Sequence, residues 1–354
     1  MRAFRHWLMG RFFLPVSAGL LMSVGAHAAT APSMPAQRMM DALANANAAV
    51  VGIRVTATED ARSADTLGQR RRGSGVLIGQ DGLVLTIGYL MLEAEQIEII
   101  TQDNKTLPAR AVAYDLATGF GLLRPLLPLP GAVAQHTVKL GSTQALQTGE
   151  PLMAVTGPQP NDDGDIAMTR LVSKRAFSGT WEYHIDTALF TSPPITTSGG
   201  HSGAALFNQQ GELIGIGSLF VSDATGQSPS VPGNMFVPVD LLRPILGELQ
   251  RSGMSHQSRR PWLGLTSSDQ GGRIQVMRVS KDSPADLAGL ASGDVVMAVD
   301  GAPVDTLEAF YKKIWDHSTP DAEITLTVRQ GEDVKSIVLK AEDRMLTLKK
   351  PSSI

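Results

Sequence analysis

The chain has 354 residues and a formal net charge of −3, with 43% hydrophobic and 18% charged residues. This length is enough for two domains, each with a core of its own. The chain contains no cysteine, which excludes disulfides, thiol nucleophiles and zinc–thiolate or iron–sulfur sites. The mildly acidic balance argues against a nucleic-acid-binding protein.

The first 28 residues have the pattern of a secretory signal peptide. Three arginines and no acidic residue accompany the apolar run 12–24, and the small-x-small pattern Ala26-His27-Ala28 follows it. We expect cleavage after Ala28 and, for an exported chain without cysteine, a periplasmic location. An uncleaved membrane anchor is the less favoured alternative, because the apolar run is short and Pro15 interrupts it.

Short strand-like runs dominate residues 36–250, which we predict to form the first domain. A flexible tail over 29–35 is followed by a predicted helix over 36–49, where apolar residues recur at helical spacing. The polar segment 59–72 is predicted to be a loop. About a dozen predicted strands favour β-barrels or sandwiches over βαβ units. They lie at 50–56, 75–78, 83–86, 97–100, 110–114, 121–124, 151–156, 167–173, 181–187, 204–207, 213–221 and 233–238.

A second domain is predicted over 261–343. Helical spacing returns over 239–249, and the polar, apolar-poor segment 251–260 is predicted to be a linker. The second domain mixes strands with two helices, a pattern typical of an α+β unit. Its strands are predicted at 274–279, 295–299, 324–329 and 335–339, and its helices after 283–284 and over 307–315. The C-terminal tail 344–354 is expected to be loose.

Ser202 lies in a glycine-flanked loop between two predicted strands. Glycines let the backbone bend sharply, so that the N–H groups of Gly200 and Ser202 can converge and form an oxyanion hole. Such a loop suits a nucleophilic serine. On its own the motif is also typical of an ordinary tight turn, and that alternative stays open at this point.

Three collinear segments resemble the HtrA/Deg family of trypsin-like serine proteases. Residues 73–86 resemble the strands that lead to its catalytic histidine, 115–123 the segment of its catalytic aspartate, and 200–216 its nucleophile segment. The resemblance covers roughly residues 36–343. It implies a mainly β fold, with a trypsin-like double β-barrel of Greek-key type, and it implies trimers.

Two of the three catalytic positions differ from the family. Tyr89 occupies the histidine position and Gly119 the aspartate position, so that Ser202 alone remains. A serine hydroxyl is a poor nucleophile without a base, and a phenol with its ordinary pKa of about 10 is protonated at neutral pH. Loss of triad function lowers turnover on the order of a million-fold. We therefore expect a catalytically silent domain.

Other side chains could in principle replace the missing base. His184 is the best remaining candidate, and Asp186 shares its face of a predicted strand. His201 adjoins Ser202, and Lys174 is the nearby lysine. A partly exposed strand histidine without a catalytic role is the favoured interpretation of His184.

The start of the second domain resembles the carboxylate-binding loop of bacterial PDZ domains. The loop is formed by Trp262, Leu263, Gly264 and Leu265, and residues 283–301 resemble two further PDZ segments of the family. PDZ domains add a peptide C-terminus as a strand to a sheet edge, and loop N–H groups bind its carboxylate. A strand with a buried tryptophan is the alternative.

Together these patterns predict an exported HtrA-like protein that is catalytically inactive. Its PDZ domain would bind protein C-termini or unfolded chains in envelope protein quality control, and the protein could assemble with active relatives or with itself. Two alternatives stay open: an active ATP-independent endopeptidase using Ser202 with a non-standard base, and a structural cell-envelope scaffold. We expect no cofactor, no metal and no nucleic-acid partner.

Overall fold

The computed structural model of the chain describes residues 36–129, 133, 135–196, 200–269 and 271–349. The predicted signal peptide over 1–28 and the tail over 29–35 lie outside the described residues. Among the helices within these ranges, none combines the length and the apolar character that crossing a membrane requires.

Six antiparallel strands close into a first barrel. They follow a helix, α1 (Ala36–Ala48), and pair in the order β1-β2-β3-β6-β5-β4. Alternating aliphatic side chains fill the interior, as in a small barrel that encloses a packed core. The strands are β1 (Val50–Ala57), β2 (Arg70–Leu77), β3 (Val84–Ile87), β4 (Ala94–Ile100), β5 (Thr106–Tyr114) and β6 (Phe120–Pro125).

A second six-stranded barrel follows, and the two confirm the predicted trypsin-like double β-barrel. Its strands pair antiparallel in the order β10-β11-β12-β9-β8-β7. A 3₁₀ helix (Val239–Leu241) and α3 (Leu246–Ser252) come after it. The strands are β7 (Pro151–Val155), β8 (Ile166–Gly179), β9 (Tyr183–Ser192), β10 (Ala205–Phe207), β11 (Leu213–Val221) and β12 (Gly233–Pro238).

The segment 59–72 is more ordered than predicted. It contains a short helix, α2 (Ala64–Leu67), and the start of β2, which pairs with β1 from Arg70 onward. Arg71 is 5% exposed, and its guanidinium donates to the Leu92 carbonyl at 2.6 Å and to Ser63 Oγ at 2.7 Å. The loop prediction was wrong here because a charged side chain is buried among hydrogen-bond acceptors, which polarity alone does not reveal.

The predicted linker over 251–260 packs against the first barrel. Ser255 and Ser258 are 1% and 0% exposed, and both hydroxyls donate to the carboxylate of fully buried Asp115. The segment is thus fixed by hydrogen bonds and contains a 3₁₀ helix (His256–Ser258). Its polar composition suggested a linker because the partner of these serines is distant in sequence.

The second domain has a sheet with strand order β14-β15-β16-β18-β19, which leaves β14 at an edge. Its core, from residues 263–341, is a cluster of its own. Ser283 caps α4 and Thr306 caps α5 by accepting backbone N–H bonds. The elements are β13 (Pro261–Trp262), β14 (Leu265–Ser268), β15 (Ile274–Val279), α4 (Pro284–Leu287), β16 (Val295–Val299), β17 (Ala302–Pro303), α5 (Leu307–Trp315), β18 (Glu323–Gln330), β19 (Asp333–Lys340) and β20 (Glu342–Asp343).

The C-terminal tail is ordered as far as residue 349. A short helix, α6 (Arg344–Thr347), is capped by Asp343, whose carboxylate accepts from the Met345 N–H. The Lys349 N–H donates to Glu93 of the first barrel at 3.0 Å. The expected loose tail was therefore wrong for residues 344–349, since a distant carboxylate holds the backbone there.

Candidate functional site

The Ser202 loop joins the two barrels. Its described part, 200–203, leads into β10. The backbone carbonyl oxygen of Ser202 accepts a hydrogen bond from the Ser74 N–H of β2 at 2.8 Å. Gly203 has φ +77, and a Cβ there would lie 2.0 Å from the Ser74 carbonyl oxygen. Glycine is required at this position because the backbone is left-handed and the first barrel is in close contact with it. The predicted oxyanion hole of Gly200 and Ser202 stays a prediction.

Tyr89 reaches Ser202 from the first barrel. It lies on a 3₁₀ helix (Gly88–Met91) that directly follows β3, and its hydroxyl is 2.7 Å from Ser202 Oγ. The same hydroxyl is 2.7 Å from the carbonyl oxygen of Ser218. A carbonyl oxygen only accepts, so both contacts are satisfied when Tyr89 donates to Ser218 and Ser202 donates to Tyr89. The serine proton is then directed at a phenol.

Burial of the phenol raises the pKa of Tyr89 to about 12, against an opposing effect of the Ser202 hydroxyl. The phenol is therefore protonated throughout the neutral range. A protonated phenol has no capacity to remove the serine proton, since a general base must be in its deprotonated form.

Gly119 lies beside the segment that carries Tyr89. Its carbonyl accepts from the Gly88 N–H at 2.7 Å, which places the two predicted catalytic positions close together. Gly119 has φ +85, and a Cβ there would lie 3.3 Å from the hydroxyl of Tyr183. That hydroxyl donates to the Thr118 carbonyl at 2.7 Å. A tyrosine hydroxyl thus borders the space that an aspartate side chain would need.

The alternative bases have other partners. His184 is buried rather than partly exposed, with Nδ1 2.8 Å from Ser178 Oγ and Nε2 3.1 Å from Asp186 Oδ1. Lys174 Nζ donates to two backbone carbonyls of the loop before β7. Burial lowers the pKa of His201, which therefore favours its neutral form. Neither His184 nor Lys174 directs its polar atoms to Ser202.

A large basic cleft lies in front of Ser202. It has a volume of about 1180 Å³ and is lined by Tyr89, Ser202 and residues of both domains. Six arginines and one lysine line it, against two aspartates. A cleft with this excess of one charge attracts ligands of the opposite charge. The cations are Arg62, Arg70, Arg71, Arg72, Arg278, Lys281 and Arg344.

The predicted carboxylate loop holds a carboxylate. The N–H groups of Leu263, Gly264 and Leu265 converge, and all three donate to the side chain of Glu182, at 3.0, 2.8 and 2.7 Å. Gly264 has φ +89, and a Cβ there would lie 2.3 Å from Ser283 Cβ. Trp262, the fourth predicted residue, takes no part in these bonds and lines the cleft.

Glu182 was not predicted as a site residue. It lies 81 residues before Leu263, in the turn between β8 and β9. Burial raises the pKa of Glu182, and the three N–H groups oppose that effect. A positive φ of +57 at a glutamate is the structural signal, and it is visible only in the folded chain.

One group of side chains has the composition of a metal site. Ligand atoms of His184, Asp186 and Glu308 lie within 4.8 Å of one another. Lys312 Nζ, however, donates to Asp186 at 2.8 Å and to Glu308 at 2.7 Å. The Lys312 ammonium thus already balances the negative charge of the two carboxylates that a metal ion would otherwise balance.

Comparison with known proteins supports both domains. Residues 73–216 match the trypsin-like peptidase domain family and residues 261–341 the PDZ domain family. A probable periplasmic serine endoprotease DegP-like of Pseudomonas putida (strain W619) is 29% identical over 249 residues, covering 66% of this chain and 48% of that protein. A serine protease Do-like HtrA of Lactobacillus helveticus is 26% identical over 284 residues, covering 74% and 66%. The chain spans about half the length of the DegP-like relatives it matches.

Solved structures show the same fold. The HtrA-type protease AlgW with tripeptide has a TM-score of 0.52 and 20% identity, covering 89% of this chain and 98% of its own. The serine endoprotease from Yersinia pestis has a TM-score of 0.52 and 22% identity, covering 88% and 99%. The likeness extends over both domains.

Proposed function

Since the chain is homologous to the HtrA serine proteases and joins a trypsin-like peptidase domain to one PDZ domain, we propose that it is a catalytically silent relative that binds peptides. It would recognise protein C-termini or unfolded chains in the periplasm, in envelope protein quality control. The contact of Tyr89 with Ser202 carries the first half of the proposal. The converging N–H groups of residues 263–265 carry the second half.

Catalytic silence follows from the chemistry of the pair. Attack by Ser202 on a peptide carbonyl requires its proton to pass to a base in the transition state. Tyr89 stands at the position that the resemblance assigns to that base, its phenol is protonated, and its O–H donates a hydrogen bond to the backbone carbonyl of Ser218. Without a proton acceptor, binding and oxyanion effects are the only contributions to catalysis that remain.

Peptide binding follows from the edge strand β14. A peptide added along this edge gains backbone hydrogen bonds, each contributing about 0.5–1.5 kcal/mol net. Capture of its carboxylate by the loop adds a charge-assisted bond of roughly twice that strength. Ordering of the peptide opposes these gains by several kcal/mol. Micromolar affinity, about −8 kcal/mol, is the expected result for an unobstructed site.

Periplasmic location is supported by the names of several relatives and by the predicted signal peptide. N-terminal sequencing of the exported protein should begin at Ala29, and an intact Met1 on membrane-bound protein would contradict this. The family resemblance implies trimers, and assembly with active relatives is a further part of the proposal. Light scattering of the purified protein, alone and mixed with an active relative, measures the assembly.

Catalytic silence is tested with a fluorophosphonate probe, which labels an activated serine. We expect no labelling of the wild-type protein and no hydrolysis of casein. Labelling or casein hydrolysis that Ser202→Ala abolishes would establish the alternative, an active endopeptidase with a non-standard base.

Peptide binding is tested on the segment 260–343, which contains the whole core cluster of the second domain. Calorimetry compares a peptide with an apolar C-terminal residue and a free carboxylate with its C-terminal amide. We expect micromolar binding of the acid and much weaker binding of the amide. Equal affinities, or no binding to any apolar C-terminus of a peptide library, would favour the scaffold alternative.

A further inference from the structure

The tip of the β8–β9 hairpin lies against the loop 263–265 and between edge strand β14 and helix α5, a space that is called the groove here. The tip is defined here as residues 179–182, between the paired residues Gly179 and Tyr183. One oxygen of Glu182 accepts from Gly264 and Leu265, and the other accepts from Leu263. These are the same three donors that the proposed function assigns to the carboxylate of a peptide.

The backbone of the tip also follows the groove. The Ser267 N–H of edge strand β14 donates to the Thr180 carbonyl at 2.8 Å. Because N–H groups two residues apart in a strand point to the same side, residues 265 and 267 both direct their donors at the tip. From the other side, the Tyr311 hydroxyl of α5 donates to the Gly179 carbonyl at 2.8 Å. The tip thus lies between β14 and α5, as an added strand would.

The conformation of Glu182 points to a specific role for its carboxylate. Glu182 is 4% exposed. Its φ is +57, a value that glycine or asparagine usually adopts in hairpin turns. A buried carboxylate is unfavourable unless it is hydrogen-bonded. The three N–H groups provide these bonds, so the interaction with the loop offsets both the burial and the backbone strain.

We propose that Glu182 is an internal ligand of the PDZ domain that competes with peptide C-termini for the loop 263–265. The proposal rests on the proposed function, since it presumes that this loop binds peptide carboxylates. A partner with a free C-terminus must displace the Glu182 carboxylate and the Thr180 carbonyl before it adds to β14. The full chain therefore binds such peptides more weakly than it would if Glu182 did not occupy the loop 263–265. Any change that releases the tip from the loop strengthens peptide binding.

The test compares peptide binding by the full-length wild-type chain and by Glu182→Gln. Glutamine keeps the size of the side chain but directs an NH₂ group at backbone donors in place of a carboxylate oxygen. We expect the variant to bind an apolar free-acid peptide about tenfold more tightly or better, because the fraction of chains with an open groove rises. The matched control is Glu95→Gln, which removes one negative charge from an exposed position of β4 and should bind as the wild type does. Equal affinity of wild type and Glu182→Gln would overturn the internal-ligand proposal and leave the proposed function intact.

A second measurement needs no peptide. Hydrogen exchange of the segment 261–268 reports the protection that Glu182 gives to the loop amides. We expect exchange in Glu182→Gln to be about tenfold faster than in wild type and Glu95→Gln. Unchanged exchange would overturn the proposal. Faster exchange without peptide binding by either protein would support the internal contact and refute peptide binding instead.

Should the glutamine variant lose its native circular dichroism, Glu182→Asp serves as the second variant. It retains the charge but shortens the side chain by one methylene group, so it cannot reach all three donors in the same backbone geometry. Its peptide affinity and loop exchange should change in the same direction as those of Glu182→Gln. Wild-type values in a folded Glu182→Asp protein would overturn the proposal.

Discussion

The hydroxyl oxygen of Tyr89 lies 2.7 Å from Ser202 Oγ, where one barrel meets the other. Tyr89→Phe removes this bond and leaves the Ser218 carbonyl without its phenol donor. Both bonds are partly buried, so we expect a loss of about 1–2 kcal/mol in the free energy of unfolding, the usual effect of leaving a hydrogen-bonding group without its partner. Urea denaturation measures it.

A double-mutant cycle with Ser202→Ala separates the pair from its surroundings. Because the two side chains share a bond, we expect a coupling energy of about 0.5–1.5 kcal/mol between Tyr89→Phe and Ser202→Ala. Strictly additive effects would show that the contact contributes nothing to stability and that Tyr89 is held by its other neighbours alone.

Placing histidine and aspartate at the two predicted catalytic positions, 89 and 119, should yield only weak activity. In Tyr89→His with Gly119→Asp, the new aspartate must adopt φ +85 beside the Tyr183 hydroxyl, which costs about 1–3 kcal/mol. We expect faint fluorophosphonate labelling that Ser202→Ala abolishes, together with a lower melting temperature. The single variant Tyr89→His is the control, and labelling of it as strong as that of the double variant would show that residue 119 has no part in orienting the histidine.

The double barrel and the PDZ fold could be predicted because their signals are local. Alternating runs such as those of β1 and β11 and the turns between them are continuous in sequence, and the motif around Gly264 identifies the second domain. The departure from the family pattern at residues 89 and 119 could likewise be predicted, because the segments around them resemble the family. Their spatial relation to Ser202 was implied by the resemblance alone.

The remaining features depend on pairs that are distant in sequence. Glu182 contacts a loop 81 residues away, and Asp115 contacts Ser258 at a separation of 143 residues. In both cases a polar side chain is buried because a matching polar group meets it in the folded chain. Such burial contradicts the hydrophobic pattern from which cores are predicted, so no inspection of local composition reveals it.

Asp115 should be essential for holding the segment 251–260 against the first barrel. Its carboxylate accepts from Thr118, Ser255 and Ser258 and is fully buried. Asp115→Ala leaves these donors unpaired, each at about 1–3 kcal/mol, so we expect a loss of at least about 3 kcal/mol in unfolding free energy. Faster tryptic cleavage at Arg259 should accompany it.

The matched control for this prediction is Asp321→Ala. Asp321 is an exposed aspartate whose carboxylate lies 3.9 Å from Lys340 Nζ, and such surface pairs contribute about 0–1 kcal/mol. Urea denaturation of both variants gives the comparison. A similar small loss in both would mean that the buried hydrogen bonds of Asp115 add no more to stability than an exposed ion pair does.

The four tyrosines of the chain should be silent in an alkaline titration of the native protein. Burial raises the pKa of Tyr89 to about 12 and raises the pKa values of Tyr114, Tyr183 and Tyr311 as well. In the unfolded chain the phenols titrate near pH 10. The folded state therefore binds these protons more tightly than the unfolded chain does. Their contribution to stability is complete below about pH 10 and is lost as the pH rises toward and through the pKa values of the folded state.

We expect phenolate absorbance to be absent at pH values near 10 and to appear together with the loss of native circular dichroism, whereas the urea-unfolded chain should ionise at about pH 10. In Tyr89→Phe the total absorbance change should fall by one phenol of the four. A phenol that ionises near its ordinary pKa while the circular dichroism stays native would contradict the burial of the tyrosines, and its disappearance in Tyr89→Phe would identify it as the partner of Ser202.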